Sequence, residues 1–112
     1  MRKYTIFLFI LFGLVLGRFY MTEPVRGENF ELYSIVRNTG SENLKDVNLK
    51  LYIYDLGEMW VSQGYTIQDN DHDVLFMEWD VPKNIKQGTY LARLSAGNDH
   101  ERDRKHIFVK IQ

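Results

Sequence analysis

From residue 29 onward the chain alternates apolar and polar side chains with a period of two. In the run Asn29 to Arg37, Phe30, Leu32, Ser34 and Val36 share one face, and Glu31, Tyr33, Ile35 and Arg37 share the other. Successive side chains of an extended strand point to opposite sides, so this pattern predicts a strand with one face in a core. The run Lys45 to Asp55 is cleaner still: Val47, Leu49, Leu51 and Ile53 face one way, and Asn48, Lys50, Tyr52 and Tyr54 the other. Met59 to Ser62 and Tyr65 to Gln68 are weaker strands, broken at Gly64. Val74 to Val81 places Leu75, Met77, Trp79 and Val81 inward until Pro82, which cannot donate to a ladder, ends the run. Tyr90, Ala92 and Leu94 mark another strand, and Ile107, Val109 and Ile111 the inward face of a last one from His106 to Ile111.

Between these runs stand turn clusters: Asn38-Thr39-Gly40-Ser41, Leu56-Gly57-Glu58, Asp69 to Asp73, Lys83 to Gln87, and a charged hairpin loop from Gly97 to Arg104. About seven short strands with turns every 8–12 residues predict an all-β, immunoglobulin-like β-sandwich over residues 27 to 112. No repeat and no low-complexity stretch interrupts it.

The N-terminus reads differently. Arg2 and Lys3 precede a nearly unbroken apolar run from Tyr4 to Gly17. A charged start followed by a short apolar stretch is the pattern of a secretory signal peptide. Val15 and Gly17 are small enough for the −3 and −1 positions of a cleavage site, so residues 1 to 17 are expected to be a signal peptide and 18 to 26 a lead-in. The competing expectation is an uncleaved anchor reaching to about residue 21. A span needs ~20 apolar residues, and Arg18 interrupts this one. The lipidated cysteine of a lipoprotein leader is missing, because Arg18 stands in its place.

The 112 residues fit one domain and contain no cysteine, so no disulfide supplements the core. Without Arg2 and Lys3, 12 basic residues face 15 acidic ones, a net charge near −3. No basic stripe for nucleic acid is visible along the sequence. No Asn-x-Ser/Thr acceptor occurs.

The run Gly27-Glu28-x-Phe30-x-Leu32-x-x-x-Val36-x-Asn38-x-Gly40, with Trp79-x-Val81-Pro82 and Gly88-x-Tyr90, resembles the cell-adhesion-related (CARDB-like) immunoglobulin-like domains of bacterial and archaeal surface proteins. The resemblance covers about 85 residues, nearly everything after the leader. Its motifs mark a fold rather than a reaction: Val-x-Asn-x-Gly a strand end with its turn, Gly-x-Tyr a tyrosine corner whose hydroxyl bonds back to the main chain. The family's usual Pro-Gly turn before the Trp-containing strand is replaced by the acidic cluster Asp69 to Asp73. The resemblance implies a surface location and a binding or structural role, and it transfers no catalytic residue.

Several clusters invite chemistry. Asp69, Asp71 and Asp73 have the spacing of the first calcium-loop ligands, with Asp80 at position twelve. Position six is Val74 rather than glycine, and an intervening strand would carry Asp80 ~20 Å away. The three aspartates are therefore weak metal candidates, and a solvated turn is the expected reading. His72, His100 and His106 lack the fourth ligand and the spacing of a zinc site. No nucleophile elbow, catalytic cysteine or phosphate loop occurs. Neither an enzyme nor a cofactor is expected.

A stronger candidate comes from the outward positions. Tyr52, Tyr54, Leu91, Arg93 and Phe108 fall on the outer side of three strands that are neighbours in an immunoglobulin-like sandwich. Tyr, Phe and Arg are enriched in contact surfaces. Tyr33, Ile35 and Phe76 form a smaller patch on the other sheet. The expected function is a non-catalytic extracellular or cell-surface binding or adhesion module. Its partner is a protein or glycan at the cell surface, or a second copy, and not nucleic acid. The alternative is a structural component of a surface layer or filament, tethered to a membrane through residues 4 to 21.

Overall fold

In the computed structural model, residues 13 to 112 are described. They form eight strands: β1 (Leu14–Met21), β2 (Asn29–Asn38), β3 (Leu44–Ile53), β4 (Glu58–Val61), β5 (Tyr65–Ile67), β6 (His72–Asp80), β7 (Gly88–Gly97) and β8 (Arg102–Ile111). The smaller sheet has the order β1-β2-β6, and the larger one β4-β3-β7-β8 with β5 also on β3. All pairings are antiparallel. The all-β sandwich expected from the alternation is present, and β3, β7 and β8 are neighbours as expected.

The core is the set of inward faces. Phe30, Leu32 and Val36 of β2, and Leu75, Met77 and Trp79 of β6, meet Val47, Leu49, Leu51 and Ile53 of β3, Ala92 and Leu94 of β7, and Val109 and Ile111 of β8. Trp79 is 5% exposed. Its ring lies 3.3 Å from that of Trp60 on β4 and packs edge-on against Phe30 at 5.8 Å. One indole thus links both sheets.

Three sequence expectations change. The sandwich begins at Leu14, not at residue 27. Leu14 and Leu16 are 8% and 5% exposed within the core cluster, so the expected cleavage point after Gly17 falls inside β1. Apolar alternation over 14 to 16 serves a strand as well as a leader, and pairing with Val36, Arg37 and Asn38 of β2 selects the strand. Residues 1 to 12, with the charged start and most of the apolar run, lie outside the described residues. Among the described residues no helix is long and apolar enough to cross a membrane. The third strand stops at Ile53, and Tyr54–Leu56 is a 3-10 turn closed by Gly57 at φ 63°. The charged hairpin is also shorter than expected, because Arg102, Asp103 and Arg104 already belong to β8.

The Asn98 side chain makes that tight hairpin. Its Oδ1 accepts the N–H groups of His100 and Glu101, and its amide donates to the Lys45 carbonyl. A Cβ on Gly97 would stand 2.4 Å from the Glu101 carbonyl oxygen, so only glycine fits. Buried Asn38 organises the opposite junction. Its amide donates to the Glu42 and Ile67 carbonyls and its Oδ1 accepts the Gly40 N–H, which gives the Val-x-Asn-x-Gly signature its physical content. The Tyr90 hydroxyl donates to the Lys86 carbonyl, four residues back, as the expected tyrosine corner requires.

Both seams between the sheets are stitched by side chains. At one, Leu16 N–H donates to Asp103 Oδ2 at 2.8 Å, and Lys105 Nζ donates to the Gly17 carbonyl at 2.9 Å. At the other, the Tyr65 hydroxyl of β5 donates to the Phe76 carbonyl of β6 and accepts the Phe76 N–H.

Trp79→Ala is expected to cost ~3–5 kcal/mol, the range for truncating a large core aromatic. Denaturant midpoints measure it, and a loss below ~1 kcal/mol would place Trp79 outside the core. A chain starting at Arg18 is expected to be less stable by at least ~3 kcal/mol than one starting at Gly13, since two buried leucines leave with β1. Equal midpoints for the two chains would show that β1 does not belong to the stable fold.

Candidate functional site

The outer side of the larger sheet is built by register. Tyr52 of β3 pairs with Arg93 of β7, and Arg93 with His106 of β8, which sets the three side chains in one row. The next row pairs Leu91 with Phe108. Phe108 is 69% exposed, the most exposed of the large apolar side chains. The five candidates from the sequence therefore do come together.

Tyr54 arrives by another route than alternation. It has left the strand for the 3-10 turn, yet its ring stands 5.1 Å from Tyr52, edge-on at 87°. It also stacks on the His106 ring at 5.8 Å, with Tyr54 Oη and His106 Nε2 joined by a 2.9 Å hydrogen bond. The Arg93 guanidinium carbon lies 5.6 Å from the Tyr52 ring centre and 5.9 Å from that of Tyr54. Both distances suit cation–π attraction. The cluster is thus held in one geometry before any partner arrives, which lowers the ordering cost of binding.

The sequence reading missed two members. His106 was grouped with the other histidines as a metal question, although alternation within the last strand already puts it beside Phe108. Met59 lies opposite Tyr52 on β4 and is 51% exposed. The expectation that no basic stripe exists is also corrected. Outward positions of β3, β7 and β8 from Asn48, Thr89 and Arg102 onward carry Lys50, Arg93, Arg102, Arg104, His106 and Lys110, with no carboxylate among them. These residues are scattered in sequence, and only strand pairing gathers them.

The smaller patch is also real. Tyr33 and Phe76 pair across β2 and β6 with ring centres 4.8 Å apart. Tyr33 also borders, with Arg18, Tyr20, Ile35 and Val74, a shallow apolar hollow of about 280 Å³. A larger cleft, of about 570 Å³, lies elsewhere, between the start of β3 and the Asn98 turn, and its lining is mostly polar and charged.

Asp69, Asp71 and Asp73 do not converge. Asp71 Oδ1 accepts the His72 N–H and Asp73 Oδ1 the Val74 N–H, so both carboxylates serve their own turn. Among the described residues no group of three or more His, Asp or Glu side chains is placed to hold a metal ion.

No protein-family model matches the sequence, and no curated protein sequence does. Solved structures do match the shape. The CARDB domain of a Pyrococcus furiosus protein, in complex with di-metal ions, aligns at TM-score 0.55 and 15% identity, over 89% of this chain and 90% of that one. The chain has a CARDB-like fold. The C-terminal domain of Wzt aligns at TM-score 0.60 and 14% identity, over 89% of this chain and 74% of that one. The DNA glycosylase AlkC of Pseudomonas fluorescens, bound to DNA with an abasic site analog, aligns at 0.64 and 13% identity, but this chain spans only 30% of its length. These likenesses concern shape, because a sandwich hosts many functions. The acidic turn of this CARDB-like chain does not fit a di-metal centre, for its carboxylates are spread along one exposed turn.

Millimolar Ca²⁺ is accordingly expected to leave the melting temperature unchanged. A site filled at 100 times its Kd would add ~2.7 kcal/mol, easily seen in a melt. A calcium-dependent rise abolished by Asp71→Asn would overturn this.

Proposed function

We propose that this CARDB-like chain is a non-catalytic binding module working outside the cytoplasm. Its contact surface is the row-built face of Tyr52, Tyr54, Leu91, Arg93 and Phe108, extended by Met59 and His106. The carrying observation is the exposed Phe108 beside a fixed Tyr52–Arg93–Tyr54–His106 cluster. Exposed aromatic and arginine side chains gathered on a rigid sheet are the common anchors of protein contacts. The fold shared with the CARDB domain and the Wzt C-terminal domain supports a module role.

The extracytoplasmic location rests on the charged start and apolar run of the first residues. Because β1 is part of the sandwich, processing of such a leader would fall before Leu14. Ten residues, 4 to 13, then remain of the apolar run, fewer than the ~20 that span a bilayer.

The double variant Tyr54→Ala, Phe108→Ala is expected to melt within a few degrees of the parent. Exposed side chains commonly contribute within ±0.5 kcal/mol of stability. It is also expected to lose its partner in a pull-down against native envelope, since such anchors can each be worth over ~2 kcal/mol of binding. Unfolding would put these residues in the core. A folded variant that still binds would move the contact surface to another part of the sandwich.

A further inference from the structure

One end of the smaller sheet's outer face is acidic where the matching end of the larger sheet's outer face is basic. On the smaller sheet, Glu31 pairs with Glu78, and Asn29 with Asp80, at one end of the β2–β6 ladder. Two carboxylates directly across a ladder repel each other, and among the described residues neither forms a salt bridge. The next outward row is aromatic, Tyr33 with Phe76, and the following one aliphatic, Ile35 with Val74. The larger sheet repeats this order in opposite charge. Ser95 pairs with Arg104, then Arg93 with His106, then Leu91 with Phe108, then Thr89 with Lys110. Outward rows within a sheet are two residues, ~6.7 Å, apart in both cases.

One superposition therefore brings the acidic and aromatic rows of one face onto the basic and apolar rows of the other. Laying Glu31 and Glu78 of one copy over Arg93 and His106 of another sets Tyr33 and Phe76 over Leu91 and Phe108. Asp80 then lies toward Arg104, and Ile35 and Val74 over Thr89 and the stem of Lys110. The Arg37–His72 row, the cationic end of the smaller sheet, falls beyond Thr89 and Lys110 at the end of the larger one. Face-to-face packing of twisted sheets within about 30° of alignment is the ordinary geometry of a sandwich.

From this complementarity we propose that the occupant of the aromatic face is the smaller sheet of a second copy of this chain, giving head-to-tail stacking. Pairing the larger faces would oppose one basic surface to another, and pairing the smaller faces with strands aligned would oppose Glu31 and Glu78 to themselves, which electrostatics disfavours. Reversed pairing of the smaller faces would leave the Phe108 face unused. The contact is heterologous. It leaves a free basic face at one end and a free acidic face at the other, so association continues into an open row unless the rotation closes a ring. The stacking rests on the contact-face reading above, with the partner now specified.

The test uses the full chain by sedimentation velocity at rising concentration, in low and high salt. The parent is expected to grow in mass with concentration, and its association to weaken on the order of tenfold from low to high salt as screening rises. Glu31→Lys with Glu78→Lys removes one face, and Arg93→Glu with Phe108→Asp the other. Each double variant alone is expected to be monomeric, and a mixture of the two to regain association, at least to a dimer through the two faces left intact. Melting curves check that both are folded, and Glu78→Gln and Phe108→Ser replace them if they are not. A parent that stays monomeric at all concentrations overturns the stacking. So does parent-like association of the Glu31→Lys, Glu78→Lys variant, which would show that the acidic face takes no part. If a monomeric parent binds heparin or single-stranded DNA through Arg93 and Phe108, the contact face stands and the second copy is ruled out. If neither face variant affects any association, the contact-face reading falls as well.

Discussion

A two-sheet sandwich leaves strand edges whose main-chain groups must find partners, and this chain meets that demand with side chains sent across the gap. Unpaired edges are sites of unwanted strand addition. The carboxylate of Asp103 and the ammonium of Lys105, two residues apart on β8, take a β1 N–H and a β1 carbonyl. The Lys105 ammonium also lies 5.4 Å from the Phe19 ring centre. On the far seam the single hydroxyl of Tyr65 serves both the N–H and the carbonyl of Phe76. These bonds hold the sheets in one relative position without a disulfide, and the core depends on that position. The Trp60–Trp79 contact, which joins β4 of one sheet to β6 of the other, exists only while the seams hold the sheets together.

Sealed seams direct association toward the broad faces. Strand alternation then decides what those faces carry. The larger sheet presents cations around a fixed aromatic cluster, and the smaller one presents carboxylates beside its own aromatic row. A formal net charge of −1 conceals this local division, because carboxylates gather at one end of the smaller sheet and cations on the larger one. Solubility follows net charge, but recognition follows the local field, which here differs in sign from one face to the other.

The structural neighbours illustrate how little a sandwich says about chemistry. The same shape occurs in a CARDB domain, in the C-terminal domain of Wzt and within a DNA glycosylase. Function resides in what is placed on the sheets and loops. In this chain a fixed aromatic and cationic cluster stands on the larger sheet, and in the acidic cluster Asp71 and Asp73 each accept a neighbouring backbone N–H.

The sequence by itself determined the strands, the buried faces and five residues of the candidate surface. Period-two alternation reports which side chains share a side, and burial of Val47, Leu49, Leu51 and Ile53 follows from it directly. Asn38 and Tyr90 were legible because bonds of theirs close locally, to Glu42 and Gly40 and to Lys86, whereas the bond of Asn38 to Ile67, 29 residues on, was not. Three things required the tertiary structure. Leu14 and Leu16 read equally well as leader or strand, and only β2 and the core beneath them distinguish the two. His106 and Tyr54 meet across 52 positions, a distance that no local pattern spans. The opposed charged faces depend on which strands pair, because alternation assigns each residue a side of its own strand but not its neighbours. Pairing is a long-range choice made by the whole core, and it is pairing that turned scattered lysines, arginines and glutamates into two complementary surfaces.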